Sequence, residues 1–425
     1  MMGRRRRNVE IPREILHDIP MKLTTRDVAR SCCISRQWHA AVGDPSFRTA
    51  HANAMAMAGH AAPPAEVLLV SKTCEPGLGD EVSAVADLPL GRVFAPANFN
   101  FWVRHWVSVS SMSSGKDLRS FAVPGGYDLA DVCHGLLCYV HRAGGPEAPA
   151  VVCNPATGET LALPKPPPLA AKGRKHLFAL GFSPPTNEYK LFRFSPFSMD
   201  VYTLGDTAGW RQHLRSWSSC PTQTTAWAPL LIDGKLYMPT NCWKRVLVVD
   251  VVTETCRSYG LPDVKTFDGV PLVGAFELEG RLCLAIHKVI HDLPRGLNHW
   301  VTMSPPPEDD GNEAPLWEPR HRFDIDEFYA TKPWSAWADD GGEMLCYMHG
   351  NTLHKYDKRG RPPISEQLRL PEIPSAWRSS KCRWSIHGGY HLTLLSPLTF
   401  ALPPSNDKHQ FKHTLSRVLY DAIRR

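Results

Sequence analysis

No stretch of the sequence approaches the roughly 18 consecutive apolar residues that a membrane-spanning helix needs, so a soluble chain without a membrane partner is expected. Nor is there a marked excess of one charge. The 48 Lys+Arg stand against 42 Asp+Glu, a formal +6 over 425 residues, which argues against a polybasic nucleic-acid wrapper, and no direct nucleic-acid partner is expected. The 12 cysteines are dilute and include no Cys-x-x-Cys pair, which excludes a disulfide scaffold and the common structural zinc modules. Cys133-His134 with Cys138 and Cys153 comes nearest, at a spacing wrong for zinc, so no metal and no cofactor are expected. The thiols read as small buried hydrophobes. After Arg4 to Arg7 comes no apolar region of the kind a secretory signal contains, and a cytoplasmic or nuclear location is expected.

Catalytic signatures are missing too. There is no Gly-x-Ser-x-Gly, no His-Glu-x-x-His and no phosphate-cradling Gly-x-x-x-x-Gly-Lys. Histidines such as His134, His176, His287 and His299 read as structural residues near strand ends, and Asp309-Asp310 as part of a solvated Pro-rich insertion. The chain is expected not to be an enzyme.

Two patterns are present instead. Residues 9–51 are helical in period. Ile11, Ile15, Leu16, Ile19 and Leu23 recur at 3.6-residue spacing, Pro12 suits a first helical position, and Pro20 predicts a stop near Asp18 or Ile19. Thr24 with Asp27 three residues later reads as a capping box for a second helix bearing Val28, Ala29 and Cys32. Ser35 reads as the cap of a third, bearing Trp38, Ala41 and Val42, with Gly43 as a left-handed terminus before Asp44-Pro45. Three helices in about forty residues carry more large apolar side chains than so small a bundle buries by itself, so part of the surface needs a partner. The Ala- and Met-rich residues 52–65 predict an extension of helix from Ser46 to Gly59, a semi-rigid spacer stopped by Pro63-Pro64.

From residue 66 the period changes to 2. Short runs such as 135–140, 151–153, 189–194 and 201–204 alternate with turns. Val151-Val152-Cys153-Asn154-Pro155-Ala156-Thr157 and Val248-Val249-Asp250-Val251-Val252-Thr253 share an Asn or Asp three residues before Thr, which can brace a turn between antiparallel strands. Ser183 to Thr186 is a weaker copy. Asp233-Gly234-Lys235-Leu236-Tyr237 and Glu279-Gly280-Arg281-Leu282-Cys283 repeat at a spacing close to that of propeller blades. Each such unit buries its faces only against neighbours, so a closed ring is the economical architecture. Gly (30) and Pro (38), together above the usual share, favour many short elements. Phe411, Leu415, Val418, Leu419 and Ile423 predict a short C-terminal amphipathic helix. Lys165, Lys172, Arg174 and Lys175 flank Pro166-Pro167-Pro168 in an expected loop. Trp102, Trp106, Trp210, Trp217, Trp227, Trp243, Trp334 and Trp337 read mostly as packing, with a few expected to form a recognition surface at one mouth of the ring.

The N-terminal string Ile11-Pro12-x-Glu14-Ile15-Leu16, then Ile19-Pro20-x-x-Leu23-x-x-x-Asp27-Val28-Ala29-Arg30, then Cys33-Ile34-Ser35-Arg36-Gln37-Trp38, Asp44-Pro45-x-Phe47 and His51 resembles the F-box in the style common in plants. Ile11 replaces the family's usual Leu at similar volume. The strand phrases resemble F-box-associated, kelch-like propeller domains. The resemblance implies docking on a Skp-family adaptor of a cullin ubiquitin ligase, with Pro12, Ile15, Leu16, Ile19, Leu23, Val28, Ile34 and Trp38 as contacts by position.

The expected fold is therefore α+β and multidomain: a basic tail at 1–8, a three-helix F-box at 9–51, a linker at 52–65, an all-β propeller-like domain at 66–409 and a C-terminal helix at 410–425. The expected function is that of a substrate-recognition subunit bridging a Skp adaptor, and through it a cullin complex, to an unknown target protein. A glycan-binding or enzymatic propeller with an incidental helical segment, and an F-box scaffold acting outside ubiquitination, are the alternatives.

Overall fold

A computed structural model describes residues 15, 18–19, 21–31, 36–57, 66–75, 102–111, 116–123, 127–141, 149–168, 176–214, 221, 228–240, 244–261, 273–278, 280–288, 297–304, 316–323, 336–338, 344–349, 352–357, 364–372, 382–387, 390 and 392–401. The predicted C-terminal helix lies outside the described residues.

Ile15, Asp18, Ile19 and Met21 are helical, so the first helix runs past the predicted stop at Asp18 or Ile19. A tighter bond from Lys22 N–H to Ile19 O at 3.1 Å closes the turn. The second helix, α1 (Thr25–Ser31), starts as its sequence dictates. The Asp27 N–H donates to Thr24 Oγ1 at 3.3 Å, and the Thr24 hydroxyl donates to Asp27 Oδ2 at 2.8 Å. Next come α2 (Arg36–Gly43) and α3 (Pro45–Met57). Gly43 is absent from the residues with positive φ, contrary to the left-handed terminus predicted there. The chain instead hands one helix directly to the next: the Asp44 N–H bonds Ala41 O, and Asp44 Oδ1 accepts from the Ser46 N–H at 2.8 Å as the cap of α3, with Pro45 at the first helical position. Helix α3 runs unbroken through the predicted 51/52 domain boundary.

The remaining described chain is almost all strand. Blade 1 is β4 (Tyr127–Cys133), β5 (Leu136–His141), β6 (Val151–Asn154) and β7 (Glu159–Ala162), following β1 (Glu66–Glu75), β2 (Trp102–Ser111) and β3 (Lys116–Val123). Blade 2 is β8 (Leu177–Ser183), β9 (Glu188–Phe194), β10 (Ser198–Thr203) and β11 (Arg211–Leu214). Blade 3 is β12 (Leu230–Ile232), β13 (Lys235–Pro239), β14 (Arg245–Asp250) and β15 (Cys256–Gly260). Blade 4 is β16 (Val273–Leu278), β17 (Arg281–Lys288), β18 (Leu297–Ser304) and β19 (Leu316–Phe323). Blade 5 is β20 (Ala336–Ala338), β21 (Met344–His349), β22 (Thr352–Asp357) and β23 (Ile364–Leu368). The last strand, β24 (Cys382–His387), pairs antiparallel with β1 and completes a sixth sheet in the order β24-β1-β2-β3.

Among the described residues there are thus six four-stranded sheets, and the first strands of successive sheets lie side by side. Leu68 and Val70 of β1 pack with Leu129, Leu137 and Tyr139 of blade 1, which joins the sixth blade to the first. The result is a closed propeller whose ring is fastened by pairing β24 to β1, and each blade keeps only a short outer edge.

The turn chemistry follows the sequence closely. His134-Gly135 (φ 44° and 82°) and Asp233-Gly234 (φ 46° and 68°) place two successive residues in the left-handed region between the first two strands of their blades, as hairpins of this type require. The Asp250 carboxylate accepts from the Thr253 N–H at 2.8 Å, the brace predicted there. Asn154 braces its own turn one residue earlier, through the Ala156 N–H at 2.7 Å. Ser183–Thr186 also makes a side-chain brace, but between a first and a second strand, whereas Asn154 and Asp250 join third to fourth.

Antiparallel alternation sorts every connection to one end of the ring. Turns joining first to second and third to fourth strands share one end. Turns joining second to third strands, and the links between blades, share the other.

Candidate docking surface

The small helices enclose a core of Val28, Val42 and Phe47, with Met21 and Leu23 at its margin. One wall of that core comes from far along the chain, since Leu394, downstream of the propeller, packs into the same cluster. Val28 is 0% exposed and cannot present itself to a partner, which corrects its place among the expected contacts. It lies on the inward side of an apolar stripe whose outward side the sequence could not separate from it.

Of the other expected contacts, Ile15 (45% exposed) and Ile19 (44%) lie one helical turn apart and face outward. Trp38 on α2 is half-buried, and Leu23 is half-buried against the core. Pro12, Leu16 and Ile34 lie outside the described residues. The outward set is a ridge of large apolar side chains on a unit whose interior is otherwise filled.

Helix α3 joins this unit to the ring. Arg48 donates through Nε to Leu394 O at 2.8 Å, and through Nη1 and Nη2 to the two oxygens of Glu159 at 3.2 and 2.9 Å. Asn154, buried at the end of β6, donates to Thr393 O and Leu395 O at 2.9 and 2.7 Å. Residues 393–396 are thereby held between α3 and blade 1, and a short 3-10 turn, Pro397–Phe400, carries the strap on to blade 2, where Phe400 meets Tyr189 edge-on at 5.6 Å. Ala52 of α3 enters the core of blades 1 and 2 with Leu136, Val152, Leu180 and Leu395. The described part of the predicted spacer, residues 52–57, is therefore the end of a helix docked on the ring through Ala52. Burial alone would raise the Glu159 carboxyl, but hydrogen bonds from Arg48, Ser396 and Thr157 and the Arg48 charge outweigh it and hold the group below the usual range. His51, fully buried, bonds Leu23 O at 3.0 Å, and burial lowers its pKa against the opposing pull of that bond.

Glu159 and the turn after Asn154 belong to the first-to-second and third-to-fourth end of the ring, and Arg48 of α3 is bonded to Glu159, so the helices sit at that end. None of Arg48, Glu159 or the 393–396 strap was legible as functional. Asn154 was visible only as a turn residue, and its amide faces carbonyls 239 and 241 positions away.

A second polar cluster, around Glu254, is internally matched. Glu254 (φ 57°) accepts from Lys190 Nζ at 2.9 Å and Arg211 Nη2 at 2.7 Å, with His213 Nε2 at 2.9 Å from its second oxygen. Lys190, Thr203, Asp206 and Arg211 line an open cleft of about 450 Å³ beside it, and both its cations are tied to Glu254. Cys133, Cys138 and Cys153 are buried with thiol pKa values pushed up by burial, and among the described residues no cluster of His, Cys, Asp and Glu is arranged to hold a metal ion. His134 packs its ring on Phe182 at 4.7 Å.

The arrangement defines a class: a closed β-propeller with a helical head fixed to one end and an apolar ridge on that head. Comparison with known families makes it particular. The F-box domain matches residues 9–49, and the F-box associated beta propeller domain matches residues 103–301. The chain is an F-box protein with an F-box-associated propeller, an architecture of substrate-recognition proteins and typical of non-enzymatic adaptors. No curated protein matches it by sequence. Overlaps with solved structures are loose: a chain of the mitotic checkpoint complex (9% identity, 58% of this chain and 67% of that one, TM-score 0.30) and Kuenenia stuttgartiensis hydrazine synthase (11%, 59% and 70%, TM-score 0.35). The fold assignment rests on the sheet order.

Proposed function

We propose that this protein is the substrate-recognition subunit of a Skp/cullin/F-box ubiquitin ligase, acting in the cytoplasm or nucleus. The observation that carries the reading is the outward pair Ile15 and Ile19 beside half-buried Trp38, on a helical unit whose core is already closed by Leu394. The ridge is surplus to folding, and F-box domains generally bind Skp adaptors. A preformed apolar ridge binds without the cost of ordering it. The propeller captures a target, and the fixed junction holds that target at a set distance from the adaptor. Catalysis is by proximity: bridging raises the effective concentration of target lysine near a ubiquitin-charged enzyme, and no side chain of this chain changes a bond.

The test is co-purification of the full chain with a Skp adaptor and cullin. Ile15→Asp with Trp38→Ala is expected to abolish adaptor capture while the propeller's thermal transition stays in place. Undiminished capture by that variant removes the docking assignment. Adaptor bound without cullin favours a scaffold outside ubiquitination.

A further inference from the structure

The helices and the strap occupy one end of the ring, and the other end, formed by second-to-third turns and interblade links, differs from it in character. On blades 1–3 the exposed described side chains at this far end include Lys165, Lys244 and Arg245, and no exposed carboxylate is among them. At the helical end of the same blades the exposed side chains are of mixed sign, with Glu188 and Asp233 beside Arg257. Two large apolar side chains stand out at the same far end. Phe197 at the tip of the β9–β10 turn is 60% exposed, and Leu214 at the end of β11 is 81% exposed. They are neighbours by register, because Leu214 pairs with Ser198, the residue after Phe197.

This sector is built rather than incidental. The Pro-rich link from β7 to β8 is pinned to blade 2 at two carbonyls: Trp210 Nε1 donates to Pro164 O at 3.0 Å, and Arg193 Nη2 donates to Pro167 O at 2.8 Å. Arg193 is itself fixed by Asp200 at 2.6 Å, a pair 3% and 0% exposed, and its guanidinium lies 5.8 Å from the Trp210 ring centre. Lys165 lies between the two pinned carbonyls, and the same link continues in sequence through Lys172, Arg174 and Lys175 with no carboxylate. Arg245 is held by Ser258 through two hydrogen bonds.

We propose that the far end of blades 1–3 is the target-recognition face and that it takes an acidic protein segment bearing large apolar side chains. The cations steer and orient the segment, while Phe197 and Leu214 supply apolar contacts whose burial gives affinity. A nucleic acid fits less well. It needs a continuous basic track, and the link from β19 to β20, which leaves and rejoins the ring at this end, contains Asp324, Asp326 and Glu327. The proposal rests on the reading of this protein as a target-capturing adaptor, and it places the target on the side of the ring away from the adaptor.

The test uses the full chain and a fluorescein-labelled dodecapeptide of repeated Glu-Glu-Phe-Gly, read by anisotropy, with repeated Lys-Lys-Phe-Gly as the opposite probe. The acidic peptide is expected to bind, more weakly as salt rises, and the basic one not to bind. Lys165→Glu with Lys244→Glu is expected to weaken binding at least tenfold, and Phe197→Ser with Leu214→Ser several-fold. Arg257→Glu with Arg281→Glu, the same charge change toward the helical end, is expected to leave it unchanged. Equal losses in both charge-reversal variants, no preference for the acidic peptide, or tighter binding of poly-uridine RNA or phosphatidylserine vesicles overturns the proposal. Skp capture is measured on the same variants. Capture kept while peptide binding is lost supports the face, and a wild type that binds peptide but captures no Skp sinks the ligase reading alone.

Discussion

Arg48 holds Glu159 in a two-pronged ion pair, at 3.2 and 2.9 Å across 111 residues of sequence, while its Nε takes the Leu394 carbonyl. One guanidinium therefore joins three parts of the chain: the docking helices, the first blade and the strap behind the last strand. The side chains are 15% and 27% exposed, so the pair is screened less than a surface bridge.

Arg48→Met is expected to remove this clamp and leave Glu159 partly buried without its cation, a cost of about 1–3 kcal/mol. Hydrogen exchange is the appropriate readout. Protection should fall in α3 and in residues 393–396 while blades 3 to 5 remain protected. Swapping the charges, Arg48→Glu with Glu159→Arg, should recover only part of the loss, because the bond to Leu394 O is not restored. Glu159 sits below its ordinary pKa in the fold, so its contribution is present above the unfolded carboxylate pKa and is lost as pH falls through the folded value.

His51 predicts a different pH response in the same junction. Its ring is buried, donates from Nε2 to Leu23 O, and has a pKa below 6.5 because burial disfavours the imidazolium. The unfolded chain takes up the proton first. The stability His51 contributes is therefore complete above about pH 6.5 and declines as pH falls below it. Thermal unfolding of the helical unit followed from pH 7.5 to 5 should show this decline, and His51→Gln should flatten it.

The helices and hairpins were legible because their signals are local. Caps such as Thr24 with Asp27, and turn pairs such as Asp233-Gly234, determine geometry within four residues. The ring closure was not. Strands β1 to β3 precede every recognisable repeat, and the strand that completes their blade, Cys382–His387, arrives about three hundred residues later with no motif to announce the pairing. Likewise Val28 and Ile15 belong to one apolar pattern, and packing by Val42, Phe47 and the distant Leu394 decides which is covered. The docking ridge was half readable, since Ile15, Ile19 and Trp38 could be named but not separated from their buried neighbours.

Asp131 ties the first two blades together at their inner strands. It sits at a register shift in β4, accepts from its neighbour Val132 N–H at 2.8 Å and from Leu180 N–H of β8 at 2.7 Å, and burial pushes its pKa up to about 8. The native state thus keeps a proton that the unfolded chain releases near pH 4. The associated stability is present below the unfolded pKa and is lost as pH rises through about 8. Asp131→Asn should flatten that decline between pH 4 and 8. It should also lower stability at pH 5 by about 1–3 kcal/mol, because one N–H loses its acceptor. Denaturant titrations at several pH values check both.

At the seam between blades 2 and 3, Gly181 is required by proximity rather than by backbone angle. A Cβ at this position would lie 2.7 Å from Val251 Cγ2 and 3.2 Å from Phe192 Cε2, in a cluster where Val251 and Phe192 are both fully buried. Gly181→Ala is therefore expected to force the blades apart or push Val251 off its rotamer, at a cost of about 1–3 kcal/mol. Val251→Ala alone should destabilise by opening a cavity. Combined, the two changes should cost less than the sum of the singles, since the methyl introduced at 181 enters the space vacated at 251. A thermodynamic cycle by chemical denaturation measures this coupling, and strict additivity would place the strain of Gly181→Ala somewhere other than the Val251 contact.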